Sequence, residues 1–413
     1  MPASASPEFK VRGSLALERA FIDKVYRHIG RPAIQIALWD GTVVGPPETA
    51  IGRVIIRAPH VLRRLLLNTT LTSTVNTTLS FGEAYVADEV SVEGDLIATL
   101  TEINRGLQRT NPARSWPRLP HWPWSRHSVA ASKASVYHHY DIGNEFYQLW
   151  LDRQLVYTCA YYPHPEATLD EAQTAKLEYV CRKLRLKPGE KVIEAGCGWG
   201  ALALHMARHH GVSVRAFNLS REQLAHARQS AAEQGLADRV EFIEDDYRNI
   251  TGTCDAFVSV GMLEHVGPEN YRGLGDLIDR VLTPQGRGLI HSIGRNVARP
   301  LDPWTVKYIF PGAYAPSLRE MLDIFEQGGF SVLDVENLRP HYARTCADWL
   351  ANFNASADRV EQMFDAKFVR MWRLYLAASS ATFRSGDLQL FQVVFAREGN
   401  NHLPLTRADW YTS

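Results

Sequence analysis

The chain has 413 residues, enough for one or two domains with a sizeable core. Its 45 Lys and Arg balance 45 Asp and Glu, so no global field draws it to nucleic acid or to a membrane. The five cysteines stand apart, without CxxC pairs, which argues against a disulfide scaffold or a zinc site and fits a reducing cytosol.

The first residues lack a charged start followed by an apolar run, so no signal peptide is expected. No stretch is long and apolar enough to span a bilayer. Residues 1–103 read as a small mixed α/β domain. Leu15 to Ile29 is amphipathic and helical, 34–39 and 52–57 read as strands about the turn Gly45-Pro-Pro47, His60 to Leu67 reads as a helix, and 89–95 as a strand and turn. This domain is either a packing module or a lipid-handling one.

Residues 104–131 change character. Pro112, Pro117, Pro120 and Pro123 discourage regular structure, and Trp116, Trp122 and Trp124 interleave with them. From Ile103 to Tyr140 there are Arg and Lys residues but no Asp or Glu. The composition is that of a linker, and equally of a segment that rests on an anionic membrane surface.

Residues 132–413 alternate helices and strands. The strand candidates are 191–195, 212–217, 239–243, 255–260, 286–292, 330–336 and 389–396. This is the doubly wound α/β pattern, a Rossmann-like seven-stranded sheet with a reversed edge strand contributed by the late run Leu388–Ala396. Lys191-Val-Ile-Glu-Ala-Gly-Cys-Gly-Trp-Gly-Ala201 joins strand to helix through Gly196, Gly198 and Gly200. Such a turn lets a nucleoside cofactor approach the backbone. A dinucleotide enzyme carries an acid at the end of the next strand, about 20 residues past the glycines. Here that strand ends in Phe217-Asn218 and the next acid is Glu222, inside the following helix. NAD is therefore the poorer reading and S-adenosylmethionine (SAM) the better one, with Gln223 on the ribose and Asp246 and Tyr247 near the adenine. In an open α/β sheet ligands sit beyond the C-terminal strand ends. Glu264 and His265 come after the fourth strand there and His291 ends the fifth, an acid and a histidine on adjacent strands.

The residues HYDxxNxFYxLxLD (139–152), YTCAY (157–161), EAGCGWG (194–200), SxxQ (220–223), DYR (246–248), SVGMLEHVG (259–267), LIHSIG (289–294), DPWTVKYIFPGAYAPS (302–317) and LQLFQVVF (388–395) resemble the cyclopropane-fatty-acyl-phospholipid synthases and mycolic acid cyclopropane synthases, in the family's order. The N-terminal domain resembles the longer bacterial members more loosely, through Phe81-Gly-Glu-Ala-Tyr85. The resemblance implies a SAM-dependent methyltransferase whose substrate is an unsaturated acyl chain of a phospholipid. The alkene attacks the SAM methyl, and loss of a proton from the transferred carbon closes the cyclopropane. It implies a bound bicarbonate as base, held by Cys159, Glu264, His291, Tyr342 and the backbone of Ile293. It also places Tyr157, Thr158, Glu194 and Asn218 with the glycines, Gln223, Asp246 and Tyr247 at the cofactor.

Two positions depart from the family. Ser379 stands where some members carry a cysteine, so no covalent cysteine acts there, and Phe217-Asn218 replaces a smaller residue and Thr. The rival readings are a lipid methylase with another fate for the cation, a small-molecule N-methyltransferase, and a non-catalytic lipid carrier. Cys159 and the lipid-like first domain count against the N-methyltransferase. The protein is expected in the cytoplasm, visiting the membrane peripherally and binding no nucleic acid. A homodimer is compatible with this reading.

Overall fold

The computed structural model describes residues 13–71, 75–110 and 142–411. Most of the basic Pro/Trp stretch, 111–131, lies outside them, as do Arg114, Arg118 and Arg126. The chain divides into two units.

The first unit begins with the helix Ala16–His28 and then forms β1 (Gln35–Leu38), β2 (Val43–Val44), β3 (Gly52–Ile56) and β4 (Val90–Gly94). These make one sheet in the order β2-β1-β3-β4, with β1 and β3 parallel and the outer pairs antiparallel. Ile34, Ile36, Val54, Ile56, Val61 and Leu62 fill its core. The helices Pro59–Leu71, Val75–Val86 and Leu96–Thr110 complete it. The last runs straight through residue 103, so the boundary read from the prolines falls inside a helix.

This unit also takes in Asp302–Trp304 and Glu361–Ala381. The expected 132–413 domain therefore lends two of its pieces to the first. The Phe81–Tyr85 motif is where they meet. Gly82 lies so close to the Trp304 ring that a Cβ would fall 2.3 Å from Cδ1. Arg370 donates to the carbonyls of Tyr85 and Val90, at 2.7 and 2.9 Å, and its guanidinium lies over the Tyr85 ring. Ser379 sits in the same helix, Ala366–Ser385, on its first-unit stretch.

The second unit is built on β5 (Lys191–Ala195), β6 (Ser213–Asn218), β7 (Val240–Glu244), β8 (Cys254–Val260), β9 (Leu282–Gly294), β10 (Phe330–Asn337) and β11 (Gln389–Arg397). Their order is β10-β11-β9-β8-β5-β6-β7. β9, β8, β5, β6 and β7 are mutually parallel, and β11 runs antiparallel to both neighbours. The reversed strand thus lies one place in from the edge. Burial explains the placement: Gln389-Leu-Phe-Gln-Val-Val-Phe-Ala396 is buried throughout, whereas β10 alternates with half-exposed Asp334 and Glu336 and tolerates the rim. Helices cover both faces. Leu169–Leu184 opens with a capping box, in which Thr168 accepts from the Glu171 amide and Glu171 reaches back to Thr168. No helix among the described residues is long and apolar enough to cross a membrane.

Candidate active site

β5 ends in the glycine turn, and the helix Ala201–His210 starts directly behind it. Gly198 has φ of +53° and open space where a Cβ would stand. Gly200 is different. Its Cβ would meet Phe242 of β7 at 2.6 Å and Ala227 of the helix Arg221–Glu233 at 2.9 Å, so it faces the packed core and does not line the cavity. Of the three glycines expected at the cofactor, Gly196 and Gly198 line the cavity, and Gly200 serves close packing.

A cavity of about 160 Å³ opens beyond the strand ends. Tyr157, Thr158, Glu194, Gly196, Gly198, Asn218, Gln223, Asp246 and Tyr247 all line it. Several segments hold its wall. Asn144 of the upstream motif accepts from the Trp199 indole at 2.7 Å, which latches the glycine turn. Asn218 donates to the Gly198 carbonyl at 3.2 Å and to Gln223 Oε1 at 2.8 Å, so the amide of Gln223 is left to donate. Gln173 donates to the carbonyls of Val156 and Thr158, fixing the Tyr157–Cys159 strap. Asp246 caps the turn Tyr247–Asn249 with Oδ1, while its Oδ2 is buried without a hydrogen-bond partner. Burial raises Glu194 to about 8, and its Oε2 is likewise unpartnered. His265 lines the cavity too, whereas Glu264 does not.

Lys176 carries no signal in the sequence pattern, yet it is buried, lines this cavity and donates to Thr158 Oγ1 at 2.9 Å. Burial lowers it to about 8, against the pull of Asp152, Cys159 and Glu194.

The five residues expected to cradle a bicarbonate fall into two groups. Val260 of β8 pairs with His291 of β9, and Glu264 sits in the turn Leu263–His265 just after β8. Ile293 N donates to Glu264 Oε1 at 2.6 Å. That amide is therefore already engaged, so Ile293 orients the carboxyl and does not itself donate outward. Burial pushes Glu264 up to about 7 and leaves Oε2 without a partner. The buried Tyr271 hydroxyl is also unpartnered, and its pKa is raised first by burial and then by Glu264. His291 is buried, Nδ1 faces Gln392 and Nε2 has no partner. Burial, then Lys176 and Lys183, hold its pKa well below the usual range, so the ring is neutral. Cys159 and Tyr342 meet at one carbonyl. The Cys159 thiol donates to the Ala160 carbonyl at 3.2 Å and lies 4.0 Å from Leu338 O, which accepts from the Tyr342 amide at 3.3 Å. Burial drives the thiol well above its ordinary pKa, so it stays protonated, a donor and not a nucleophile. Tyr342 stacks on Phe383 with ring centroids 4.5 Å apart.

One other titratable cluster lies away from this site. Cys181, His205 and His210 bring ligand atoms within 4.8 Å of one another. Glu178 Oε2 accepts from both imidazoles, at 3.1 and 3.0 Å, which accounts for both ring protons and ties the helix Leu169–Leu184 to Ala201–His210.

The profile of the mycolic acid cyclopropane synthetase family matches residues 127–393. A probable fatty acid methyltransferase of Pseudomonas putida is 33% identical over 395 residues, covering 92% of this chain and 96% of its own. The cyclopropane-fatty-acyl-phospholipid synthase of Escherichia coli K12 is 40% identical over 270 residues, covering 65% of this chain and 69% of its own. Among solved structures, the mycolic acid cyclopropane synthase CmaA1 complexed with SAH and CTAB superposes with a TM-score of 0.61 at 30% identity, covering 64% of this chain and 98% of its own. The profile accounts for more than half of the sequence and takes in the cavity and the cradle alike, which makes this chain a member of the mycolic acid cyclopropane synthetase family and a SAM-dependent methyltransferase.

Proposed function

We propose that the chain converts the double bond of an unsaturated phospholipid acyl chain to a cyclopropane. SAM would supply the electrophilic methyl and a bound bicarbonate the base. The observation that carries this reading is the pair of buried, unpartnered atoms, Glu264 Oε2 and His291 Nε2, on adjacent strand ends beside the cofactor cavity. Buried polar atoms without partners are uncommon in a folded chain and call for a ligand. A neutral His291 donates, and a Glu264 raised to about 7 either accepts or donates, which suits a small oxyanion that carries its own proton. The buried ammoniums of Lys176 and Lys183 favour negative charge nearby.

At the cofactor, Gly196 and Gly198 would admit the ligand to the backbone, Gln223 would hold the ribose, and Asp246 Oδ2 would accept from the adenine amine. Glu194 and Lys176 offer opposite charges to the methionine portion, which carries both an ammonium and a carboxylate. The protein would reach its substrate as a peripheral visitor, through the basic Trp-rich stretch 104–131.

Mass analysis of lipids from cells expressing the protein tests the reading. One CH2 gained per chain with loss of the alkene supports ring closure. A CH2 gained with the alkene retained overturns it in favour of a methylated or methylene chain, the outcome closer to the name of the Pseudomonas relative.

A further inference from the structure

His291 can serve the cradle only if its proton sits on the nitrogen that faces it, and a neutral imidazole has two choices. Behind it lies a chain of buried polar groups that the reaction itself does not use. Gln392 is opposite His291 in the β9–β11 register, fully buried, with Nε2 at 2.9 Å from His291 Nδ1. Its Oε1 receives Lys183 Nζ at 2.8 Å. Lys183 is buried as well and is anchored on Glu336, which also accepts from the Tyr179 hydroxyl at 2.8 Å.

The donors and acceptors in this chain leave one solution. An ammonium has protons only, so the glutamine atom that faces it is the carbonyl oxygen. The glutamine atom on the other side is then the NH2, which can only donate. His291 Nδ1 must accept, and so carries no proton. A neutral ring with a bare Nδ1 is protonated at Nε2, the buried nitrogen without a partner.

We propose that Lys183 and Gln392 are positioning residues that hold His291 in its Nε2–H tautomer and thereby present a donor to the anion cradle. The proposal rests on the cradle reading of the proposed function. Without the ammonium, Gln392 is free to turn its oxygen toward Nδ1–H. Nε2 would then meet the oxyanion with a lone pair, which is repulsive. The antiparallel register fixes the Gln392–His291 spacing through the backbone, so the choice lies in the amide's orientation alone.

The test is nitrogen NMR of the full-length protein with isotopically labelled histidine, His291 being identified by the signal lost in His291→Ala. The wild type should show a neutral ring protonated at Nε2. Lys183→Met should introduce the Nδ1–H form, and Lys183→Arg, which is also a donor only, should restore Nε2–H. Orienting partners of this kind are worth roughly 10–100-fold. With SAM and vesicles of unsaturated phospholipid, Lys183→Met should lose kcat by that factor while the KM for SAM stays near wild type. Gln392→Met, close in size, should behave likewise and does not depend on how well Lys183→Met folds. A wild-type ring protonated at Nδ1, or tautomers unmoved in both variants, overturns the proposal outright. A moved tautomer with unchanged kcat removes its catalytic consequence and places the failure in the cradle reading.

Discussion

The amide of Ile293 lies 2.6 Å from Oε1 of Glu264 and joins β9 to the turn just after β8. Half of the Glu264 carboxyl is thereby fixed by the backbone, and its other oxygen is left buried and unpartnered. The bond favours the charged form, yet burial outweighs it and raises the group to about 7.

Glu264→Gln keeps the bond to Ile293 and removes the titration. The raised pKa means that the folded state holds a proton that the unfolded state has released above its ordinary value. Stability from this group is therefore present at low pH and lost as pH rises from the ordinary carboxylate range toward 7. The loss is on the order of 3 kcal/mol, at about 1.36 kcal/mol per unit of pKa. Thermal melts from about pH 5 to 8 should show wild type falling relative to Glu264→Gln. Parallel curves would mean that Glu264 is ordinary in solution.

The proposed function assigns Glu264 and His291 to the cation and not to the cofactor, so Glu264→Gln and His291→Ala should both fold and bind SAM while losing most of their turnover. Calorimetry with SAM and a lipid assay separate the two effects. Near-normal turnover in either variant would displace the cradle from these residues.

The glycines should separate in the same way. Gly198→Val places a branched side chain at positive φ beside the cavity and should abolish SAM binding. Gly200→Ala drives a methyl into Phe242 and Ala227 and should lower stability by about 1–3 kcal/mol. At temperatures where it remains folded, it should still bind SAM. Isothermal calorimetry beside denaturant melts reads both. Wild-type affinity in Gly198→Val would remove the turn from the cofactor site.

Asn144→Ala deletes the acceptor of the Trp199 indole and loosens the glycine turn. A neutral hydrogen bond contributes about 0.5–1.5 kcal/mol. SAM affinity should fall by a few-fold with little change in the chemistry once SAM is bound. An unchanged dissociation constant would show that the upstream motif does not support the turn.

Charge reversal at Arg114, Arg118 and Arg126 tests the membrane contact. Each basic residue near an anionic surface is worth about 1 kcal/mol, screened by salt. Co-sedimentation with anionic liposomes at low salt should fall in the variant, and in wild type as salt rises. Equal sedimentation would make the stretch a linker and move the contact elsewhere.

Much of the second unit was legible because its strands are apolar runs with clear ends. β5 falls on the expected 191–195, five other strands begin and end within a residue of where the pattern puts them, and β9 runs beyond the expected 286–292 at both ends. That Gly196, Gly198, Asn218, Gln223, Asp246 and Tyr247 line one cavity is legible because the order strand, turn, helix determines which residues come directly after each strand end. That Gly200 packs away from the cavity is not legible, because even spacing says nothing of which way a Cβ would point. Lys176, Lys183 and Gln392 were missed for a common reason. In sequence each reads as a solvated polar residue, and only packing between the helix Leu169–Leu184 and the sheet buries them. The helix Val75–Val86 was missed because Asn, Thr and Ser dominate its start, residues with poor helix propensity. The return of 361–381 to the first unit has no local signal, since it depends on contacts such as Arg370 with Tyr85.

That last arrangement sets an order of events during synthesis. The sheet residues of the first unit leave the ribosome early, but Arg370 and the rest of the stretch up to Ala381 emerge only after the whole of the 191–337 strand series. Domains usually settle from the N-terminus as the chain grows. Here the early sheet must wait, with part of its surface uncovered, until the chain has been extended through Ala381. A nascent chain stalled before Glu361 should therefore be more sensitive to protease in the β1–β4 sheet than one extended past Ala381, although every residue of that sheet is already present.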